Sequence, residues 1–415
     1  MIFVFNDTLG VFGGSQTLIY RMCEWLHEKK IKTVVMCNSA DNKEIVSILE
    51  NINVVIDCFP PEDYHHTKNM LVSLLKEDKD LLVVNFGFDR YMNIECTKAK
   101  YHLEFNNIIY DIIPTTFFKG EGVKSKFLKK HAKKVYSSVV LRMLANNAIR
   151  TLEDTYITGV RDYYNFTAEE FSPKILRLPM KCKRLDNYEQ IIKQGFESDL
   201  ILSAARADFP FKGYLVGLVD QFCEIKKEKP SVRLKIFSDG GDMHILRDKV
   251  NPVPEEIRKD ISLNSWISYE ELYQEMQKAK VYIGMGTTVM DAALNYKPSV
   301  VVSFDTMNCL SAGLFTDNPY CTATHGDGYP EATETLKRVL KSSFEEYKKL
   351  CTDNFEVVYE NYNIDYVMND FINIVTPNKK CLLKPFEYLE HNMNNFINTI
   401  RFRNAEDKNR YVTNK

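Results

Sequence analysis

The feature that narrows the possible folds most is an alternation that occurs twice along the 415 residues: short β-branched runs separated by longer amphipathic stretches. Strand-length runs followed by helix-length segments build parallel sheets covered by helices. In the first half the predicted strands are Ile2 to Asn6, Thr33 to Cys37, Asn53 to Ile56, Leu81 to Asn85, Phe105 to Tyr110 and Thr155 to Thr158. Between the first two, Leu18, Ile19, Met22, Trp25 and Leu26 recur at three-to-four spacing and predict a helix with one buried face. In the second half the strands are Leu200 to Ala204, Leu234 to Phe237, Ile261 to Leu263, Val281 to Ile283 and Ser299 to Ser303. Ser268 and Glu271 form a capping box that opens a helix at Tyr269. Two such blocks predict an α/β protein of two Rossmann-like, doubly wound domains with a ligand cleft between them. The expected division is 1–180 for the N-terminal domain, 181–198 for a linker with seven charges, 199–370 for the C-terminal domain, and 371–415 for a helical tail packing back on the first domain.

Composition excludes some alternatives. With 45% hydrophobic and 27% charged residues the chain is not intrinsically disordered. Its ten cysteines contain no C-x-x-C and have no histidine at zinc-site spacing, so they read as buried thiols in a reducing compartment. No apolar run approaches the ~20 residues of a membrane span. Met1 to Asn6 lacks a basic leader, so the expected location is cytoplasmic, with contact to the inner face of the cell membrane left open.

Three turns carry the chemistry. Gly10-Val11-Phe12-Gly13-Gly14-Ser15 lies between a predicted strand and a predicted helix. Glycines there allow close approach to a ligand at a helix N-terminus, although a plain turn has the same composition. Arg206 and Lys212-Gly213 share the loop after the first strand of the second domain, where a guanidinium and an ammonium can converge on a diphosphate. Ile283-Gly284-Met285-Gly286-Thr287-Thr288-Val289-Met290-Asp291 leaves a strand, turns on two glycines and opens a helix. Amides near Gly286, Thr287 and Thr288 are expected to face phosphate, and Asp291 to accept from a ribose diol. A solvated helix carboxylate is the alternative for Asp291, disfavoured by its apolar neighbours.

With these residues in view, the chain resembles the retaining glycosyltransferases of the GT-B fold, the family 4-like type found in bacterial cell-surface polysaccharide assembly. Gly13 and Gly14 resemble the family's glycine pair after the first strand, and Arg206, Lys212 and Gly213 its donor-diphosphate residues. Ser238-Asp239-Gly240-Gly241 resembles its small glycine turn, and Asp291-Ala292 its ribose-binding glutamate-alanine. The family's first glutamate, eight positions earlier, is Ile283 here. Tyr110-Asp111-Ile112-Ile113-Pro114 resembles a histidine-aspartate-x-x-proline segment with tyrosine for histidine.

The resemblance implies a glycosyltransferase that moves a sugar, with retention, from a nucleotide-diphosphate donor to a glycan or lipid-linked glycan. Gly13, Gly14, Arg206, Lys212, Gly240, Gly284, Gly286, Thr287, Thr288 and Asp291 would hold the donor. Arg206 and Lys212 would stabilise the leaving diphosphate without a metal, and Asp111, or Glu104, would assist deprotonation. Neither cofactor nor metal is expected, and Asp78-Lys79-Asp80 reads as a charged surface run rather than a metal site. A non-catalytic subunit supporting an active partner is the alternative, and an epimerase of the same fold a third.

Between residues 119 and 150 nine basic residues face Glu121 alone, a net +8. With Val123, Phe127, Leu128, Val135, Val139 and Val140 forming an apolar stripe, the segment is expected either to lie on an anionic membrane surface or to be a solvated basic face. No nucleic-acid motif accompanies it, so no nucleic-acid partner is expected.

Overall fold

The structure, a computed structural model, describes residues 1–10, 13–60, 63–111, 126–152, 154–389 and 391–392; for residues 111, 126–129 and 154–156 only the backbone is described. It divides into two compact units, Met1–Leu176 with the chain from Asp370 onward, and Arg177–Asn369.

The first unit runs β1 (Ile2–Asn6), α1 (Gly14–Glu28), β2 (Lys32–Cys37), α2 (Lys43–Asn51), β3 (Val55–Cys58), α3 (Tyr64–Glu77), β4 (Leu81–Asn85), α4 (Phe88–Tyr101), β5 (Asn106–Asp111), α5 (Lys126–Ala145), β6 (Ile149–Thr151), α6 (Asp154–Tyr164) and β7 (Lys174–Ile175). Its seven-stranded sheet has the order β3-β2-β1-β4-β5-β6-β7, and every pairing is parallel. Strands β1 and β4 are buried along their whole length, as expected with helices on both faces. All five apolar residues predicted for the first helical stripe are buried in α1. Thr155 to Thr158, expected as a strand, instead belongs to α6. Burial of Ile157, Val160 and Tyr164 at three-to-four spacing overrides the β-propensity of the run. Strands β6 and β7, three and two residues long, are too short to show a sequence period.

The second unit runs α7 (Tyr188–Glu197), β8 (Leu200–Ala204), α8 (Tyr214–Glu228), β9 (Arg233–Phe237), α9 (Met243–Val250), α10 (Glu255–Arg258), β10 (Ile261–Asn264), α11 (Tyr269–Lys278), β11 (Val281–Gly284), α12 (Thr287–Leu294), β12 (Ser299–Phe304), β13 (Ser311–Leu314), β14 (Thr324–His325), α13 (Thr333–Leu340) and α14 (Phe344–Asn361). The chain then enters α15 (Ile364–Ile372), along which it passes back to the first unit. The sheet order is β10-β9-β8-β11-β12-β13, with β14 beside β12. Strand order reverses between β8 and β11, and the crevice at the carboxyl ends of such a pair is where open α/β sheets take ligands.

The stretch 181–198 differs from the linker expected there. It contains α7, whose Ile191 and Ile192 are buried in the second core. Two buried lysines hold that helix by its carbonyls, Lys297 Nζ on Ile191 O at 2.8 Å and Lys280 Nζ on Phe196 O at 2.9 Å. A methyl group at Gly195 would collide with Lys297 Nζ and the Tyr347 hydroxyl, so this glycine lets α7 dock. Beyond α15 the chain lies against α4 and α5 of the first unit. There Leu382 N donates to the buried Glu95 carboxylate at 2.6 Å, His391 Nε2 meets Asn93 Oδ1 at 2.9 Å, and Arg142 pairs with Glu387.

Candidate functional site

Three loops of the second unit leave the carboxyl ends of adjacent parallel strands β9, β8 and β11. The β8–α8 loop carries Arg206 and Lys212. It is laced to the β9–α9 loop by Ala207 N on Asp239 O at 2.6 Å and by Phe209 N on the Asp242 carboxylate at 2.8 Å. Gly240 has φ +115°, and a Cβ there would press on Ala207 O and on the Arg206 side chain. The glycine thus serves both the left-handed turn and the close seat of Arg206.

Arg206 reaches Asp208 at 3.0 Å, an ion pair open to solvent. Lys212 is half-buried. Burial, with the neighbouring Arg206 charge, lowers its pKa to about 8, against a smaller opposing pull from Asp208 and Asp239. Two adjacent cations, one of them poorly solvated, make a site whose charge is relieved by an anion.

On the other side of the strand reversal, Gly284 ends β11 and a two-residue connection, Met285 and Gly286, leads into α12. Gly286 has φ +68° and ψ −142°, which a side chain does not readily adopt. Its amide donates to Thr322 O at 2.8 Å, so it does not face a phosphate as expected. Thr287 and Thr288 remain as first-turn amides, the positions a helix cannot satisfy itself. The Thr288 hydroxyl turns back to Met285 O at 3.1 Å. The ends of β8 and β11 are tied by the Tyr282 hydroxyl on Ala204 O at 3.1 Å, and a Cβ on Gly284 would run into that tyrosine ring.

Asp291, expected at a ribose, has no exposed surface, and its Oδ1 accepts from the Tyr273 hydroxyl at 3.0 Å. Ile283 is equally buried, paired with Val300 inside the second core. With so short a β11–α12 connection, eight positions before Asp291 falls within a strand and not on a loop. Nearby, Ser238, Asp239, Gly240, Met243, Arg247, Leu263, Asn264 and Ser265 line a cavity of about 330 Å³. The Ser238 hydroxyl on its wall is buried and makes no hydrogen bond among the described residues. Arg247, Asn264, Ser265 and Tyr273 were missed in the sequence. The SDGG turn was the one signal pointing toward this wall.

In the first unit Gly13 precedes α1 with extended backbone, and Gly14 opens it. Neither has positive φ; a Cβ on Gly14 would meet nothing within 4 Å among the described residues, and one on Gly13 would stand 3.3 Å from Gln16 Oε1. Beside them Asp7 is buried, its pKa raised by desolvation against the pull of Arg90, which stands 3.7 Å away. Asp111 closes β5 at its carboxyl end, and its side chain lies outside the described residues. Glu104 precedes β5, at the opposite strand end, and faces Lys380 at 3.7 Å. That position removes it from the ligand-binding edge of the sheet. Asp78 binds the Met1 amino group and Asp80 faces Lys379 at 3.9 Å.

The basic segment is less uniform than its composition suggests. Arg150 is buried, donating to Asn147 O and Ile149 O at 3.1 and 2.8 Å, and Arg142 is bound to Glu387 and Leu382 O. Lys133 stacks on Tyr163 at 5.0 Å. Lys130 and Lys134 are exposed, while the side chains of Lys119, Lys124, Lys126 and Lys129 lie outside the described residues. Two of the nine charges are therefore structural and unavailable to an external anionic surface. No helix of the described residues is long and apolar enough to cross a membrane.

Fold and site together define an α/β protein of two doubly wound domains, the second with paired cations at its strand-order reversal. Among solved structures it is similar to Anabaena HepE in complex with UDP, with TM-score 0.61, 11% identity, and 90% of this chain and 98% of that one covered. It is also similar to a glycosyltransferase from Rickettsia africae, with TM-score 0.59, 12% identity and coverage of 89% and 97%. A third is the E. coli trehalose-6-phosphate structure bound with UDP-2-fluoro glucose, with TM-score 0.57, 11% identity and coverage of 91% and 100%. The chain has the GT-B fold. No protein-family model and no curated protein matches it.

Proposed function

We propose that the protein is a glycosyltransferase that binds a nucleoside-diphosphate sugar on its second unit. The observation that carries this is Lys212, half-buried with its proton affinity lowered by burial and by Arg206, in the loop that follows β8 at the strand reversal. A diphosphate there gains two cationic donors and helix amides, and the cavity past Gly240 is of a size for a base. The same groups would stabilise charge on the departing diphosphate as the anomeric bond breaks, without requiring a metal. Similar structures hold UDP, and in one case UDP and glucose, which supports a nucleotide sugar as donor.

The acceptor in this reading is a glycan or lipid-linked glycan of cell-surface polysaccharide or glycoconjugate assembly, the transfer retains configuration, and Asp111 assists on the acceptor side. A cytoplasmic location, peripheral at the membrane through Lys130, Lys134 and their neighbours, fits that acceptor. The test is incubation with UDP-, GDP- and ADP-sugars, with and without a lipid-linked glycan. Sugar transfer or slow donor hydrolysis is expected, and neither occurring with any donor would remove the enzymatic reading. Ile283, a core residue where the resemblance expects a carboxylate, favours one second reading, a donor-binding but inactive subunit. That reading predicts nucleotide binding without turnover.

A further inference from the structure

We propose that Tyr273, not Asp291, is the side chain that meets the ribose of a bound nucleotide, with Asp291 acting through it as a positioning residue; this rests on the nucleotide reading above. Asp291 is fully buried, and its Oδ1 accepts from the Tyr273 hydroxyl at 3.0 Å. Aspartate has a short side chain, and from the second turn of α12 its carboxylate has no exposed surface. Tyr273 is only half-buried.

Position supports the assignment. Helix α11 starts at Tyr269, just past Asn264 and Ser265 on the rim of the cavity, and is fixed there by the Ser268–Glu271 capping box. Tyr269 packs edge-on against Tyr273, with centroids 6.1 Å apart at 81°, which limits the swing of the ring. The Tyr273 hydroxyl therefore hangs from an element that begins beside the cavity and bonds to α12, the helix that follows β11 at the strand reversal. A ribose joins the base and diphosphate ends of a nucleotide. A phenol has one proton and two lone pairs; when the proton is given to a carboxylate, the oxygen is polarised as an acceptor for a sugar hydroxyl.

Calorimetry of the full chain with a nucleoside diphosphate and its 2′-deoxy and 3′-deoxy forms tests this, on wild type, Tyr273→Phe and Asp291→Asn. UDP, GDP and ADP are the probes. Wild type is expected to prefer the ribo form over at least one deoxy form by about tenfold. Tyr273→Phe should lose that preference while binding the deoxy form as wild type does. Asp291→Asn should keep most of it, because the amide oxygen still accepts from Tyr273. A Tyr273→Phe protein that keeps the ribo preference, or an Asp291→Asn protein that loses it while Tyr273→Phe does not, overturns the inference and leaves nucleotide binding standing. If Tyr273→Phe does not fold, Asp291→Asn decides alone: retention supports and loss overturns. Wild type binding no nucleoside diphosphate is a different result, which removes the nucleotide reading and this inference with it.

Discussion

At Lys212 two effects work against the positive charge, burial and the guanidinium of Arg206, and an anion settling between the cations relieves both. A ligand that requires the ammonium form should therefore bind with constant affinity below pH 8. Above it, affinity should fall toward about tenfold per pH unit as the proton leaves. Titrating a nucleoside diphosphate by calorimetry from pH 6.5 to 9.5 checks this, and Lys212→Arg, which keeps its charge, should flatten the profile. Replacing Lys212 or Arg206 by Ala should cut turnover about tenfold or more with the melting curve unchanged, since each removes charge stabilisation from the leaving group. These two residues were legible in the sequence because a short strand-to-helix loop holds both. Tyr273 was not, because its contact with Asp291 depends on how α11 packs on α12, which no local pattern encodes.

Among the elements, α12 and α7 depend on single residues in ways that can be measured. The positive φ of Gly286 sets the turn into α12, so Gly286→Val should lower stability by roughly 1–2 kcal/mol and weaken nucleotide binding, read from urea unfolding and calorimetry. For α7 the relevant group is Lys297, which precedes β12 and holds the Ile191 carbonyl; burial lowers its pKa to about 8. In the unfolded chain a lysine holds its proton to about pH 10.4. Between those values the unfolded state binds the extra proton, so stability rises with pH across that window and is least below it. The unfolding free energy of wild type relative to Lys297→Met should rise by on the order of 1–3 kcal/mol from pH 7.5 to 10. A flat difference would mean that the ammonium is not buried as described. Strands β1, β4 and β8 were readable to the residue because they are continuous apolar runs bounded by turns. The error at α6 arose because Thr155, Ile157 and Thr158 favour strands locally, while packing of Ile157, Val160 and Tyr164 decides for helix. Likewise α7 hides in a charged stretch, since its buried face consists of little more than Ile191, Ile192 and Gly195.

Across the whole molecule, the two-block alternation was enough to reach two doubly wound sheets, because strand period and helix period differ regardless of which residues fill them. The cavity by Ser238 was beyond reach, as it is formed by β9 and β10 ends that register over 26 residues of intervening chain. Under the proposed function the second unit should be the one stabilised by ligand: at a hundredfold excess over Kd the gain is about 2.7 kcal/mol. Hydrogen exchange should then show protection at 205–213, 238–241 and 285–289, whereas protection confined to the first unit would place the nucleotide elsewhere. The most direct test of the account is calorimetry of wild type and the Arg206→Ala/Lys212→Ala double variant with UDP, GDP and ADP and with the bare nucleosides. The account predicts that at least one diphosphate binds wild type, that its nucleoside binds at least about a hundredfold more weakly, and that the folded double variant loses the diphosphate. A double variant that binds diphosphate as tightly as wild type would contradict it.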